Sequence, residues 1–110
     1  MEIIHTNQAP EAIGPYSQAI RVGNVLYSSG QIAINPATGT VEATDIVGQS
    51  KQVMKNLEAV LKEAGATFAN VVKTTCFLKD VAADFAAFNT VYAEATVSYT
   101  HLTLPTILRV

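Results

Sequence analysis

At 110 residues the chain is one domain, apolar for its size, with 49% hydrophobic and only 15% charged residues. Its net charge is −2, from 7 Lys+Arg against 9 Asp+Glu, and the basic residues are scattered, which excludes the electrostatic footprint of a nucleic-acid or anionic-membrane binder. The single cysteine, Cys76, forbids an internal disulfide, and no Cys/His spacing suggests a metal site.

In chain order, Ile3 and Ile4 suggest a short first strand, followed by a loop from Gln8 to Pro15. Ser17 to Val22 and Val25 to Ser29 read as strands flanking Gly23-Asn24, a two-residue turn of the kind that closes hairpins. The second strand ends at Gly30, where a missing Cβ lets another group approach the backbone. Pro36 to Gly39 is a further turn, and Thr40-Val41-Glu42 adds a short strand.

A helix is predicted from Asp45 to Ala64. Ile46, Val53, Met54, Leu57, Val60, Leu61 and Ala64 recur at three- and four-residue steps, with Thr44 or Asp45 as cap and Gly65 in the left-handed position after the end. Gly48 costs the first turn roughly 1 kcal/mol relative to Ala, unless it permits a close approach. Val71 to Lys79 is the best strand, with Val72, Thr74, Cys76 and Leu78 on one face. Asp80 then caps a second helix, Val81 to Ala95, whose Phe85, Phe88 and Tyr92 form one stripe. The order of elements predicts an α+β fold, a mixed sheet with both helices packed on one face.

The start Met-Glu-Ile-Ile-His has neither the basic nor the apolar region of a signal peptide, and no apolar run approaches the length of a membrane span. A cytoplasmic protein is the expectation.

Two segments carry functional information: Ala12-Ile13-Gly14-Pro15-Tyr16-Ser17-Gln18-Ala19 and Leu26-Tyr27-Ser28-Ser29-Gly30-Gln31-Ile32. Taken alone they are hairpin punctuation, or a strand end with exposed N–H groups beside a hydroxyl, suited to a small polar ligand. In this order, and with Asn35-Pro36-Ala37-Thr38-Gly39, Asn56 to Gly65, Val72 to Asp80 and Phe85 to Tyr92, the chain resembles the Rid family of reactive intermediate deaminases, also called YjgF-type proteins. The resemblance covers residues 1 to about 94, giving a Rid-type domain over residues 1–95.

The resemblance implies a Rid/chorismate-mutase-like fold, a homotrimer with sites between subunits, and hydrolysis of 2-imino acids or enamines such as 2-iminobutanoate and 2-iminopropanoate to 2-keto acids and ammonia. No cofactor or metal is implied. Carried over by position, Ser29, Gly30 and Asn89 would be catalytic, and Tyr16 and Phe88 would bind substrate. The family continues after the second helix with a Pro-Ala-Arg loop and two more strands, the last holding an acidic residue. Residues 96–110 show no counterpart and read as a non-family tail: Val97 to Leu102 resembles a translated sequencing adapter, while Thr96 to Thr100 has strand propensity and Pro105 would mark an edge. The family's carboxylate-binding arginine therefore has no match, and Arg109 stands in the wrong context for it.

Two other functions compete with the deaminase. One is a non-catalytic trimeric module on the same fold, binding small metabolites or regulating another enzyme, which the missing arginine favours. The other is an RNA-cleaving or translation-inhibiting protein, which the acidic balance does not support. Cys76, mid-strand on an apolar face, reads as core rather than nucleophile; Lys73 reads as solvated rather than a Schiff-base former, and His5 and His101 lie too far apart in sequence to suggest a metal site.

Overall fold

A computed structural model describes residues 1–96 and the backbone of Thr106–Arg109. Seven strands and two helices follow in the order β1 Glu2–Ile4, β2 Ala19–Val22, β3 Val25–Ser28, β4 Ile34–Asn35, β5 Thr40–Val41, α1 Ile46–Glu63, β6 Thr75–Leu78, α2 Val81–Ala95 and β7 Thr106–Arg109. β1, β2 and β3 form an antiparallel sheet in that order, β4 pairs with β5, and β6 pairs in parallel with β7.

The hairpin closes where the turn residues predict, with Val22 opposite Val25 and Gly23 at φ 60°. Ile3, Ile20 and Tyr27 stand in register across the three strands, so they share one face with Val22 and Val25; Ile4, Ala19, Arg21 and Leu26 take the other. That second face meets α1. Ile4, Ala9, Ala19 and Val60 form a buried cluster, with Leu26, Ala59 and Ala64 packed against it. The first face stays exposed, Tyr27 at 64% and Ile3 at 66%.

α1 carries the caps its sequence predicts. The Asp45 side chain accepts from the Gly48 N–H, and Gly65 follows the helix at φ 76°. A Cβ on Gly48 would lie 2.8 Å from Asp45 Oδ1 and 2.9 Å from Ala43 Cβ. Glycine there offsets its intrinsic helix cost by admitting the cap and the incoming chain. Arg21 reaches the other end of α1, donating from Nη2 to the Ala64 carbonyl while Nη1 lies 3.4 Å from Glu2 Oε1. α2 spans the predicted residues, with the Asp80 side chain accepting from the Ala83 N–H. Between the helices Met54, Leu61, Phe68, Leu78, Phe88, Val91 and Tyr92 form the larger core, which Leu26 and Cys76 also touch. Both helices thus pack on one side of the strands.

Three features differ from the sequence reading. The single mixed sheet is divided into three hydrogen-bonded ladders; among the described residues β3 and β6 are not paired with each other, although Leu26 and Cys76 pack on the same core. The strand expected from Val71 begins only at Thr75, because a 3-10 turn at Phe68–Asn70, closed by a Thr67–Asn70 capping box, swings the chain so that Val72 faces solvent. The family's two strands after the second helix are expected to be missing, and one strand does follow it: β7, whose backbone pairs Thr106 to Arg109 with Thr75 to Leu78. The strand propensity noted at Thr96 to Thr100 falls, after Thr96, outside the described residues, as does His101.

Candidate functional site

The two informative segments meet at one place. Gly14-Pro15 folds the loop back on itself, so that the Tyr16 N–H donates to the Gly14 carbonyl at 2.8 Å and the Tyr16 hydroxyl accepts from the Ile13 N–H at 3.4 Å. Pro15 permits this tight turn because its φ is already fixed. The tyrosine ring lies over Gly14 and stays half exposed. Across from it runs the end of β3. A hollow between them is lined by Pro10, Glu11, Ile13, Tyr16, Gln18 and the stretch Gly30 to Ile32, with Ile34 beside it.

Ser29 anchors the strand end. Its N–H donates to the Gln18 carbonyl at 2.9 Å, and its hydroxyl donates to the Ser17 carbonyl at 2.5 Å. The step from Ser29 to Gly30 is thereby locked to the segment that carries Tyr16. At Gly30 a Cβ would meet nothing within 4 Å, and its φ is not positive. Among the described residues neither backbone strain nor crowding requires a glycine there. The space it leaves is open toward the hollow.

The other two carried-over residues lie elsewhere. Phe88 is 7% exposed inside the helix core, its ring centroid 5.9 Å from that of Tyr92. Asn89 follows on the exposed side of α2, and neither residue lines the hollow. Tyr16 and Gly30 meet on the hollow, and Ser29, tied to Ser17 and Gln18, adjoins it next to Gly30 without lining it; Phe88 and Asn89 lie apart from it.

Two residues that sequence reasoning passed over hold the walls. Gln18 is 3% exposed; its Oε1 accepts from the Thr6 N–H at 2.7 Å and its Nε2 faces the carbonyls of Thr6, Ala9 and Pro10 at 3.0, 3.3 and 2.7 Å. Asn56, completely buried on α1, donates from Nδ2 to the carbonyls of Ile32 and Ile34 at 2.9 and 2.8 Å and accepts from Gln52 Nε2 at 2.8 Å. Asn56 had a signal: it sits one turn before Val60 on a buried helix face, where an asparagine is unfavourable unless its amide is satisfied.

Glu11 and Tyr16 are the ionisable groups on the lining, with His5 Nε2 at 3.6 Å from Glu11 Oε1. Among the described residues no Lys or Arg lines the hollow, and no three His, Cys, Asp or Glu cluster as a metal site. Burial pushes the Cys76 thiol up from its ordinary value, against a smaller opposite pull from a Thr74 hydrogen bond. That disfavours the thiolate a nucleophile requires.

A family model described as Endoribonuclease L-PSP matches residues 6–109. The chain belongs to the Rid family. A RutC family protein of Haemophilus influenzae is 50% identical over 104 residues, covering 94% of this chain and 78% of that protein. The crystal structure of a Rid-family protein from Yersinia pestis superimposes with a TM-score of 0.94 at 42% identity, over 99% of this chain and 85% of that one. TdcF of E. coli, crystallised with bound serine, gives a TM-score of 0.91 at 33% identity, over 100% of this chain and 86% of that one. These likenesses establish the Rid α+β fold.

Proposed function

We propose that the hollow between Tyr16 and Gly30 is a site for small 2-imino acids and their enamine tautomers, and that its chemistry is their hydrolysis to 2-keto acids. The observation that carries this reading is the strand end at Ser29-Gly30, fixed by two hydrogen bonds and open opposite an aromatic ring. Serine bound to TdcF supports a ligand of this class, a small polar amino-acid-like molecule. In the reaction water adds to C2 of the iminium, and the tetrahedral adduct then breaks its C–N bond: iminium and water give ketone and ammonium. Such a step needs orientation and charge stabilisation rather than a covalent nucleophile.

Both Ser29 donors are already engaged, so its hydroxyl oxygen serves as acceptor for the iminium N–H, while Tyr16 covers the side-chain end. The substrate carboxylate is the weak point. With no cation among the described lining residues, holding that anion costs about a hundredfold or more in transition-state binding.

The exposed face of Ile3, Val22, Val25 and Tyr27 is the surface on which copies of the chain would assemble as a trimer. Asn89, exposed on α2, would then act at a neighbour's boundary. Sedimentation at micromolar concentration tests the assembly; a well-folded monomer alone contradicts it.

For the reaction, the test is keto-acid release from 2-iminobutanoate generated in situ, by the chain and by a chimera carrying the Haemophilus influenzae relative's C-terminal segment after Glu94. The chimera should accelerate hydrolysis and lose that acceleration with Ser29→Ala. No acceleration by either protein refutes the deaminase reading, and binding of 2-oxobutanoate without turnover favours the non-catalytic module. The family description as an endoribonuclease raises RNA cleavage as a second reading, and a net charge of −2, with no Lys or Arg among the described residues lining the hollow, argues against it.

A further inference from the structure

Gln18 joins both sides of the hollow at once. Its backbone carbonyl takes the Ser29 N–H, and so holds the end of β3. Its side chain turns the other way and holds residues 6–10, the stretch that leads into the Pro10–Glu11 rim. Two Nε2 hydrogens serve three carbonyls, so no donor is left over for a ligand. A leucine would fill the same volume but strand the Thr6 N–H and the three carbonyls in a buried site. Asn56 does for the Ile32–Ile34 wall what Gln18 does for the rim, with both its Nδ2 hydrogens spent on the two carbonyls. Neither amide is a spare polar group awaiting substrate.

Resting on the site reading above, we infer that Gln18 is a positioning residue: it fixes the Pro10–Glu11 rim relative to Ser29-Gly30 at the separation a ligand spanning Tyr16 and Gly30 requires. Asn56 holds the opposite wall in the same sense. The rim and the strand end are far apart in sequence yet share this one residue, so loosening either bond set moves both walls together.

Gln18→Glu keeps the acceptor for the Thr6 N–H and removes the donors, at nearly constant volume. The experiment records amide resonances of Ser29 and Gly30 and ring resonances of Tyr16 without ligand, then the affinity of the folded fraction for 2-oxobutanoate. Val91→Ala, a core truncation in α2, serves as the control for general destabilisation. Gln18→Glu should shift or broaden the Ser29, Gly30 and Tyr16 signals and weaken 2-oxobutanoate binding ~10-fold or more. Val91→Ala should lower the melting temperature and leave both readouts alone. A Gln18→Glu protein that melts earlier but keeps wild-type resonances and wild-type affinity overturns the inference.

If the wild-type chain does not bind 2-oxobutanoate, the ligand reading fails, while the ligand-free resonances still decide whether Gln18 sets the geometry. Should Gln18→Glu not fold, exchange of the wild-type Gln18 Nε2 protons carries the test. Slow exchange with solvent supports a closed clamp, and exchange as fast as that of the exposed Gln8 side chain overturns it.

Discussion

The Ser29 hydroxyl donates to the Ser17 carbonyl across 2.5 Å. This bond does two things: it ties the end of β3 to the segment that carries Tyr16, and it spends the hydroxyl proton, leaving the oxygen able only to accept. Ser29→Ala removes both. We expect a loss of about 0.5–1.5 kcal/mol in stability by denaturant titration, together with weaker binding by the molecules that stay folded. Unchanged ligand affinity would show that Ser29 only braces the strand.

Gly30 offers the reverse test, a substitution that should spare the fold and block the site. A Cβ there meets no atom within 4 Å and the backbone is not in the left-handed region. Gly30→Ala should leave the melting temperature unchanged, or raise stability by about 0.4–1 kcal/mol through the unfolded chain. Binding of 2-oxobutanoate should nevertheless fall, because the methyl group occupies the open space opposite Tyr16. Calorimetry on the same sample reads both effects.

Phe88 and Asn89 are neighbours in sequence with opposite expected behaviour. Phe88→Ala empties a position at the heart of the α1–α2 core and should cost about 3–5 kcal/mol, a large share of the 5–15 kcal/mol typical of a small domain. Asn89→Ala is exposed and should stay within about 0.5 kcal/mol of wild type. If Asn89 acts at a neighbour's site, its loss reduces turnover of the tailed chimera with no change in melting. Equal stability losses for the two would contradict the placement of both.

How much was legible before the structure depended on how local the cause was. Asp45, Gly65 and Asp80 act through their own turn of backbone, and they mark the helix ends within a residue. Gly23-Asn24 sets its hairpin in the same way. The family motifs placed Tyr16 and Gly30, which do come together. Phe88 sits in the core rather than on the hollow: an aromatic stripe at helical spacing gives the same pattern for a core and for a lining, and only the packing of α1 against α2 separates them. The roles of Gln18 and Asn56 were not legible, since each depends on carbonyls 8–24 residues away in sequence. β6 was overextended because nothing in the alternation of Val71 to Lys79 shows where the Thr67–Asn70 capping box diverts the chain.

Cys76 should make stability fall at alkaline pH. Burial raises its pKa in the folded chain, so the unfolded thiol ionises first as pH rises. The stabilising contribution is complete below the unfolded thiol's range and is lost as pH climbs through the folded thiol's higher range. Unfolding free energy measured upward from neutral pH should show this decline, and Cys76→Ala should remove that part of the slope. An identical slope in both proteins would place the thiol in water rather than against the core.

The claim on which the account turns is that Tyr16, Ser29 and Gly30 form one ligand site. Chemical-shift mapping of the isotope-labelled chain with 2-oxobutanoate, the keto-acid product, tests it most directly. The account predicts saturable perturbations concentrated at Tyr16, Ser29, Gly30 and Gln31, abolished by Gly30→Ala in a protein that melts like wild type. Perturbations centred on another surface, or none at millimolar concentration, would contradict it.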